Sequence, residues 1–306
     1  MVSLVKIAHI LNPVKVDKNN ELYFAQKFTF ISIQKAVECF NKKDVELINC
    51  ETSFQEDEGI SPTFFNQLTN LNRAVSDVNS SLSISRKLPL IKDVLDKTKE
   101  IDDLDYLIYS NVDIGLMPYF YNHVVELIEE GYDAICVNRR RVSKEYLQSE
   151  SISQIYADQG KSHPGFDCFV IKKELLNQFV LGDVCIGVPF LGVTLLHNIA
   201  SFAQKPTYLT DKHLTFHLGM NVLGFDKSEY YKHNRTEFFK KIKPALAGNY
   251  QLAKFPYSSL PIYKRALKWL LNPSLFTIDY LELEKKSFLE KTKLKVDELR
   301  WRLLSR

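Results

Sequence analysis

Through roughly the first hundred residues, short apolar runs alternate with helix-periodic stretches, and this alternation limits the fold more than any other feature. Residues 4–11 predict a strand stopped by Asn12 and Pro13. Residues 21–41 predict a helix with Leu22, Ala25, Phe28, Ile31, Val37 and Phe40 among its apolar positions, and residues 45–50 predict the next strand. A polar loop, a short helix near residues 62–71 and a helix entered through Pro89 follow. Strands joined by helices run parallel, and a parallel sheet needs apolar cover on both faces. The expected class is α/β.

The next stretch, DYLIYSNVDIGLMP from Asp105 to Pro118, carries the chemistry. Leu107, Ile108 and Tyr109 read as a buried strand that Ser110, Asn111 and Asp113 break. Pro118 then opens a helix over residues 119–130. Asp113 therefore falls at the carboxyl end of a central strand, where open α/β sheets bind their ligands. Such an acid either closes the turn on backbone N–H groups or holds magnesium or manganese together with substrate phosphates.

Composition narrows the function. A chain of 306 residues holds one large α/β domain with an appendage, or two small domains. A net charge of +3 gives no argument for nucleic acid. The five cysteines lack a CxxC pair, so neither a zinc site nor a disulfide framework is implied, and reduced thiols fit a cytoplasmic protein. MVSLVKIAHIL reads as a first strand rather than a signal peptide. Neither GxGxxG nor GxxxxGK[ST] occurs, which disfavours a dinucleotide dehydrogenase and a P-loop ATPase. No charge lies between Asp183 and Lys205, but Gly187, Pro189, Gly192, His197 and Asn198 interrupt that span, so residues 190–202 are expected to form a buried helix rather than cross a bilayer.

Arg73, Arg86 and Lys87 precede the central strand, and Arg86 and Lys87 stand just before a helix start, where a guanidinium suits phosphate; solvated surface charge is the alternative. Residues 133–138 predict a strand ended by Arg139, Arg140 and Arg141, which either bind an anion or keep a sheet edge soluble. Residues 142–162 are polar and suit a lid. His163, Pro164 and Gly165 predict a turn before a strand over residues 166–171, and Asp167 at its start needs a partner, whether backbone N–H groups or a ligand. If residues 211–217 are extended, Asp211, His213, Thr215 and His217 share one face.

The strand, acid-bearing turn and helix, with the order of elements over about residues 4–220, resemble the DxD region of GT-A-fold glycosyltransferases. Here the motif reads Asn111, Val112, Asp113, with an amide in place of the first acid. The resemblance implies a GT-A-like (Rossmann-like), mostly parallel central sheet flanked by helices over residues 1–224, and a helical basic extension over residues 225–306. It implies transfer of a sugar from a nucleotide diphosphate sugar to a hydroxyl acceptor, as in glycan or polysaccharide assembly. Asp113 would hold Mn2+ or Mg2+ with His217 as a further ligand and Asn111 alongside. Asn12, Pro13 and Glu51 would flank the base and ribose, and Arg73 and Arg86 would add positive charge. Asp167 would touch the donor sugar or act as general base. Asp183 is the other candidate base, because this chain has Pro189, Phe190, Leu191 and Gly192 where many inverting members of this fold carry an acid. A retaining mechanism, and a degenerate nucleotide- or glycan-binding module, stay open beside these. Nucleotidyl transfer is disfavoured by the lack of glycine in residues 12–20.

Beyond Phe225 the chain becomes rich in Lys, Tyr and Phe, with helices expected over residues 230–247, 261–271 and 279–304. Residues 264–306 hold 11 Lys and Arg against 6 Asp and Glu, a balance suited to an anionic membrane surface at the inner face, to packing on its own domain, or to a homo-oligomer.

Overall fold

The structure, a computed structural model, describes residues 4–83, 86–149, 151–219, 228–271 and 275. The expected boundary at residues 224 and 225 and the helix expected over residues 279–304 lie outside the described residues.

Among the described residues nine strands form one sheet: β1 (Val5–Leu11), β2 (Val45–Glu51), β3 (Asn66–Gln67), β4 (Tyr106–Ser110), β5 (Gly115–Leu116), β6 (Ala134–Val142), β7 (Lys161–Lys172), β8 (Pro206–Leu209) and β9 (Thr215–Leu218). Their order is β3-β2-β1-β4-β7-β6-β9-β5, with β8 also on β6. Five of these pairings are parallel; the three antiparallel ones join β7 to β4, β7 to β6, and β5 to β9. The expected mostly parallel α/β sheet flanked by helices is the observed one.

Alternation of side chains along each strand gives the sheet two apolar faces. Ile7 and Leu11 of β1, Ile108 of β4 and Ile135 and Val137 of β6 pack under helices Glu21–Glu38 and Phe120–Glu129. Their neighbours Ala8, Ile10, Leu107, Tyr109, Ala134 and Cys136 face the other way, under helices Ile91–Asp96 and Leu191–Phe202. A helical run over residues 229–246 covers the same face, with Phe238, Ile242 and Leu246 fully buried.

The uncharged span forms the buried helix Leu191–Phe202. Two of its polar members are well bonded, whereas the Thr194 hydroxyl has no hydrogen-bond partner: Asn198 donates to the carbonyls of Val180 (2.8 Å) and Thr194 (2.9 Å) and accepts the Val180 N–H (2.6 Å). His197 donates through Nε2 to the Leu275 carbonyl (2.5 Å) and accepts the Tyr250 hydroxyl at Nδ1 (2.7 Å). Among the described residues no helix is long and apolar enough to cross a membrane. A second buried imidazole, His9, joins the strands: Ser110 Oγ is 2.9 Å from Nε2, Tyr121 Oη is 2.8 Å from Nδ1, and Tyr121 donates to Asn49 Oδ1 (3.0 Å). An amide oxygen only accepts, so Tyr121 spends its proton there and His9 Nδ1 must donate to Tyr121.

Four local expectations fail. Residues 66 and 67 form the edge strand β3 against Cys50 and Glu51, where a helix was expected. Arg139, Arg140 and Arg141 do not end their strand, because β7 continues to pair beyond them, and residues 163–165 run within β7 through a register shift instead of turning. Only residues 215–218 of the stretch 211–217 and its successor are strand; His213 has a left-handed φ of 49°, so Asp211 and His213 do not share a strand face with His217.

Candidate active site

The sheet register gathers the polar strand ends. Ile10 lies beside Tyr109, so two steps further along Asn12 falls beside Asn111, and Ser110 lies beside Cys168, so one step further Asn111 falls beside Asp167; Leu11 lies beside Glu51. This row lies at the carboxyl ends of β1, β2 and β4, the side where ligands enter such sheets.

After Ser110 the chain turns, with the Ile114 N–H on the Asn111 carbonyl (3.0 Å). Pairing of Gly115 with Phe216 and of Leu116 with Thr215 then brings β9 alongside. A Cβ on Gly115 would lie 2.1 Å from the Phe216 ring, so only glycine permits this approach. The outcome is that His217 Nε2 lies 3.1 Å from Asp113 Oδ2. Burial works to raise the Asp113 carboxyl, but the His217 hydrogen bond and the charges of His217 and Arg139 hold it below its ordinary value. Asn111 Oδ1 accepts the Tyr109 hydroxyl (3.0 Å). Asp113 and His217 line a cavity of about 300 Å³ with Asn20, Glu21, Lys144 and Gly219, in which Lys144 is paired with Glu21.

Asp167 is 16% exposed and divided in its bonding. Oδ1 meets Arg139 Nη1 at 2.8 Å, whereas Oδ2 is buried and accepts no hydrogen bond. His163 Nδ1 stands 3.7 Å from Oδ2 and takes the Gly165 N–H at 3.0 Å, so that nitrogen carries no proton for Asp167. His163 was not among the expected site residues, and Arg139 was expected only as one of three arginines that bind an anion or keep a sheet edge soluble. The triple arginine was visible, but only the β6–β7 pairing selects Arg139 from it.

The remaining candidates divide. Asn12 donates to the Thr52 carbonyl (2.8 Å), and Pro13 is buried. Glu51 is 6% exposed, its Oε2 has no hydrogen-bond partner, and burial pushes its carboxyl up to about 7. Arg73, Arg86 and Asp183 sit in another neighbourhood. Arg73 grips Asp93 at 2.7 and 3.0 Å, and the Arg86 N–H donates to the Tyr230 hydroxyl (2.6 Å). Asp183 is tied through its backbone to Glu237 and His233, with its carboxylate 3.7 Å from Lys241. The helix start that lacks an acid is explained locally: a Cβ on Gly192 would lie 2.7 Å from the Phe166 carbonyl.

These buried groups set an acid response. Burial lowers His9 to about 3 and His197 to about 4, so the unfolded chain binds more protons below an ordinary imidazole value of 6.5 and stability is lost as pH falls. From pH 7 to 5 each costs about 2 kcal/mol. Glu51 runs the other way, since its raised carboxyl favours the folded state as pH falls from about 7 towards 4.5. The wild type is therefore expected to lose about 2 kcal/mol over this range and Glu51→Gln about 4, as read from urea unfolding at both pH values. Equal losses in the two proteins would show that Glu51 is not a neutral carboxyl.

A divalent cation fits the Asp113–His217 pair. Ligand bonds of roughly 2.1 Å place neighbouring ligand atoms about 3 Å apart on an octahedral ion, close to the separation found here. His217 Nδ1 is buried and without a hydrogen-bond partner. Among the described residues no three His, Cys, Asp or Glu side chains group to hold a metal, so the protein would supply two ligands and a diphosphate or water the rest.

No protein-family model matches the sequence, and no curated protein matches it. Among solved structures the chain is similar to S. aureus TarS 1-349 in complex with UDP-GlcNAc, at 10% identity over 97% of this chain and 78% of that one, with a TM-score of 0.48. It is also similar to the mannosyltransferase PcManGT from Pyrobaculum calidifontis in complex with GDP-Man and Mn2+, at 11% identity, 97% and 82% coverage and a TM-score of 0.45. A third is the glucosyl-3-phosphoglycerate synthase from Mycobacterium tuberculosis in complex with Mn2+, UDP and phosphoglyceric acid, at 12% identity, 71% and 72% coverage and a TM-score of 0.40. In its mixed, helix-flanked sheet the chain resembles the GT-A-fold glycosyltransferases.

Proposed function

We propose that the chain transfers a sugar from a nucleotide diphosphate sugar to a hydroxyl acceptor. The observation that carries this reading is the row of strand ends in which a carboxylate–imidazole pair, Asp113 and His217 at 3.1 Å, accompanies a buried carboxylate oxygen of Asp167 that accepts no hydrogen bond. Asn12, Pro13 and Glu51 flank the base and ribose, and the half-neutral Glu51 both donates and accepts hydrogen bonds near pH 7. Asp113 and His217 hold Mn2+ or Mg2+, which supplies positive charge to the leaving diphosphate. Arg139 keeps Asp167 oriented, and Oδ2 takes the proton of the acceptor hydroxyl. Asp183 is the alternative base, and Arg73 and Arg86 are auxiliary cations.

Nucleoside diphosphates are expected to raise the melting temperature, and more so with Mn2+ than without, because a ligand of the folded state alone stabilises it by mass action. A panel of UDP, GDP and ADP that leaves the melting temperature unchanged with and without Mn2+ would remove the donor site. Asn111 favours a second reading, a nucleotide- or glycan-binding module without turnover, since its amide oxygen is neutral and already accepts from Tyr109. Donor binding without consumption of the nucleotide sugar over a panel of hydroxyl acceptors distinguishes it.

A further inference from the structure

We propose that the surface built from residues 238–271 docks on an anionic lipid membrane. Between Glu237 and Asp279 the chain has no acidic residue and seven cations, Lys240, Lys241, Lys243, Lys254, Lys264, Arg265 and Lys268; of these Lys241 is paired with Glu237 and Asp183, and Lys254 donates to the Ala203 carbonyl. Six large hydrophobic residues are exposed among those described, and four of them, Leu252, Ile262, Tyr263 and Leu267, fall within this stretch. Concentration of exposed apolar side chains in one segment marks an interaction surface, whereas single ones do not.

The helix Ile262–Leu271 shows how the two properties combine. Trp269 fastens it to the body, donating from Nε1 to the Pro256 carbonyl (2.7 Å) and meeting the Phe255 ring edge-on. Tyr263 and Leu267, one turn apart and 67% and 55% exposed, form an outward apolar row. Lys264 and Lys268 form the next row round the helix, one position on. An apolar row bordered by lysines is the pattern of a helix lying in the headgroup region, with aliphatic and aromatic groups entering the acyl boundary and cations at the phosphates. A nucleic acid or soluble polyanion would use the cations and leave the apolar row wet. A symmetric contact between two copies would bring cationic surfaces together with no acid from this segment to offset them. A lipid surface satisfies both rows.

The test is sedimentation of the full chain with sucrose-loaded vesicles of phosphatidylglycerol and phosphatidylcholine, against vesicles of phosphatidylcholine alone. Binding is expected on the anionic vesicles, weakened by salt. Lys264→Glu with Lys268→Glu is expected to lower the partition coefficient by roughly 30-fold or more. Tyr263→Ser with Leu267→Ser is expected to lower it by roughly 10-fold or more. Unchanged thermal melts of both variants show that the loss is one of surface and not of fold. The proposal is overturned if the wild type stays in the supernatant at low salt, or if both double variants sediment as the wild type does. It is equally overturned if the wild type is a dimer that Tyr263→Ser with Leu267→Ser converts to monomer while neither protein binds vesicles. Loss with the lysine variant alone also overturns it, because purely electrostatic attachment leaves the apolar row without a role.

Discussion

Asp167→Asn is expected to lower sugar transfer by about 100-fold or more while changing nucleotide diphosphate affinity little, because a general base acts on the acceptor proton in the transition state and contributes nothing to ground-state contacts with the nucleotide. The substitution keeps an oxygen for Arg139, which lies 2.8 Å from Oδ1, so the largely buried arginine retains an acceptor. It removes the basicity of Oδ2, the atom that accepts no hydrogen bond in the folded chain. A loss of about 1–3 kcal/mol in stability is expected from the weakened charge-assisted bond, too small to unfold a domain of this size. Single-turnover rates and isothermal titration with UDP or GDP separate the two effects. Asp183→Asn is expected to leave transfer nearly intact, since that residue stands among Lys241, Glu237 and His233. The reverse result would move the base to Asp183, and full activity in both variants would favour a retaining mechanism.

Asp113→Ala is expected to remove the metal-dependent part of nucleotide binding, with affinity in Mn2+ falling at least about 100-fold, given that even residues behind a metal ligand cost 10–100-fold when lost. His217→Ala is expected to act in the same direction and less strongly, because it deletes one ligand atom and leaves the carboxylate charge. Titration of a nucleoside diphosphate with and without Mn2+ reads both. Affinity in Mn2+ equal to wild type would remove the metal role from Asp113. Global unfolding of Asp113→Ala, seen as a lost cooperative melt, would instead make Asp113 the acid that closes the turn after β4.

The strands β1, β2 and β4 and the helices that cover them were legible in the sequence because each is specified by its own apolar period. Ile7, Leu11 and Ile108 fall on one face and Ala8, Ile10 and Leu107 on the other whatever the rest of the chain does. The position of Asp113 at a strand end followed from the same local signals. The Pro62-to-Leu71 region misled because β3 exists only through its pairing with Cys50 and Glu51. Arg139 reads as a strand terminator until β7 pairs beyond it, and His217 meets Asp113, 104 residues away in the chain, only because β5 and β9 are in register. Local propensity decided which segments are strand or helix. The site depends on contacts between distant strands, and a one-residue change of register, invisible in composition or period, turns every side chain of a strand to the opposite face. The Asp167–Arg139 pair is of that second kind, and only the assembled sheet joined it; the family resemblance had already set His217 with Asp113, and the sheet supplies the physical contact.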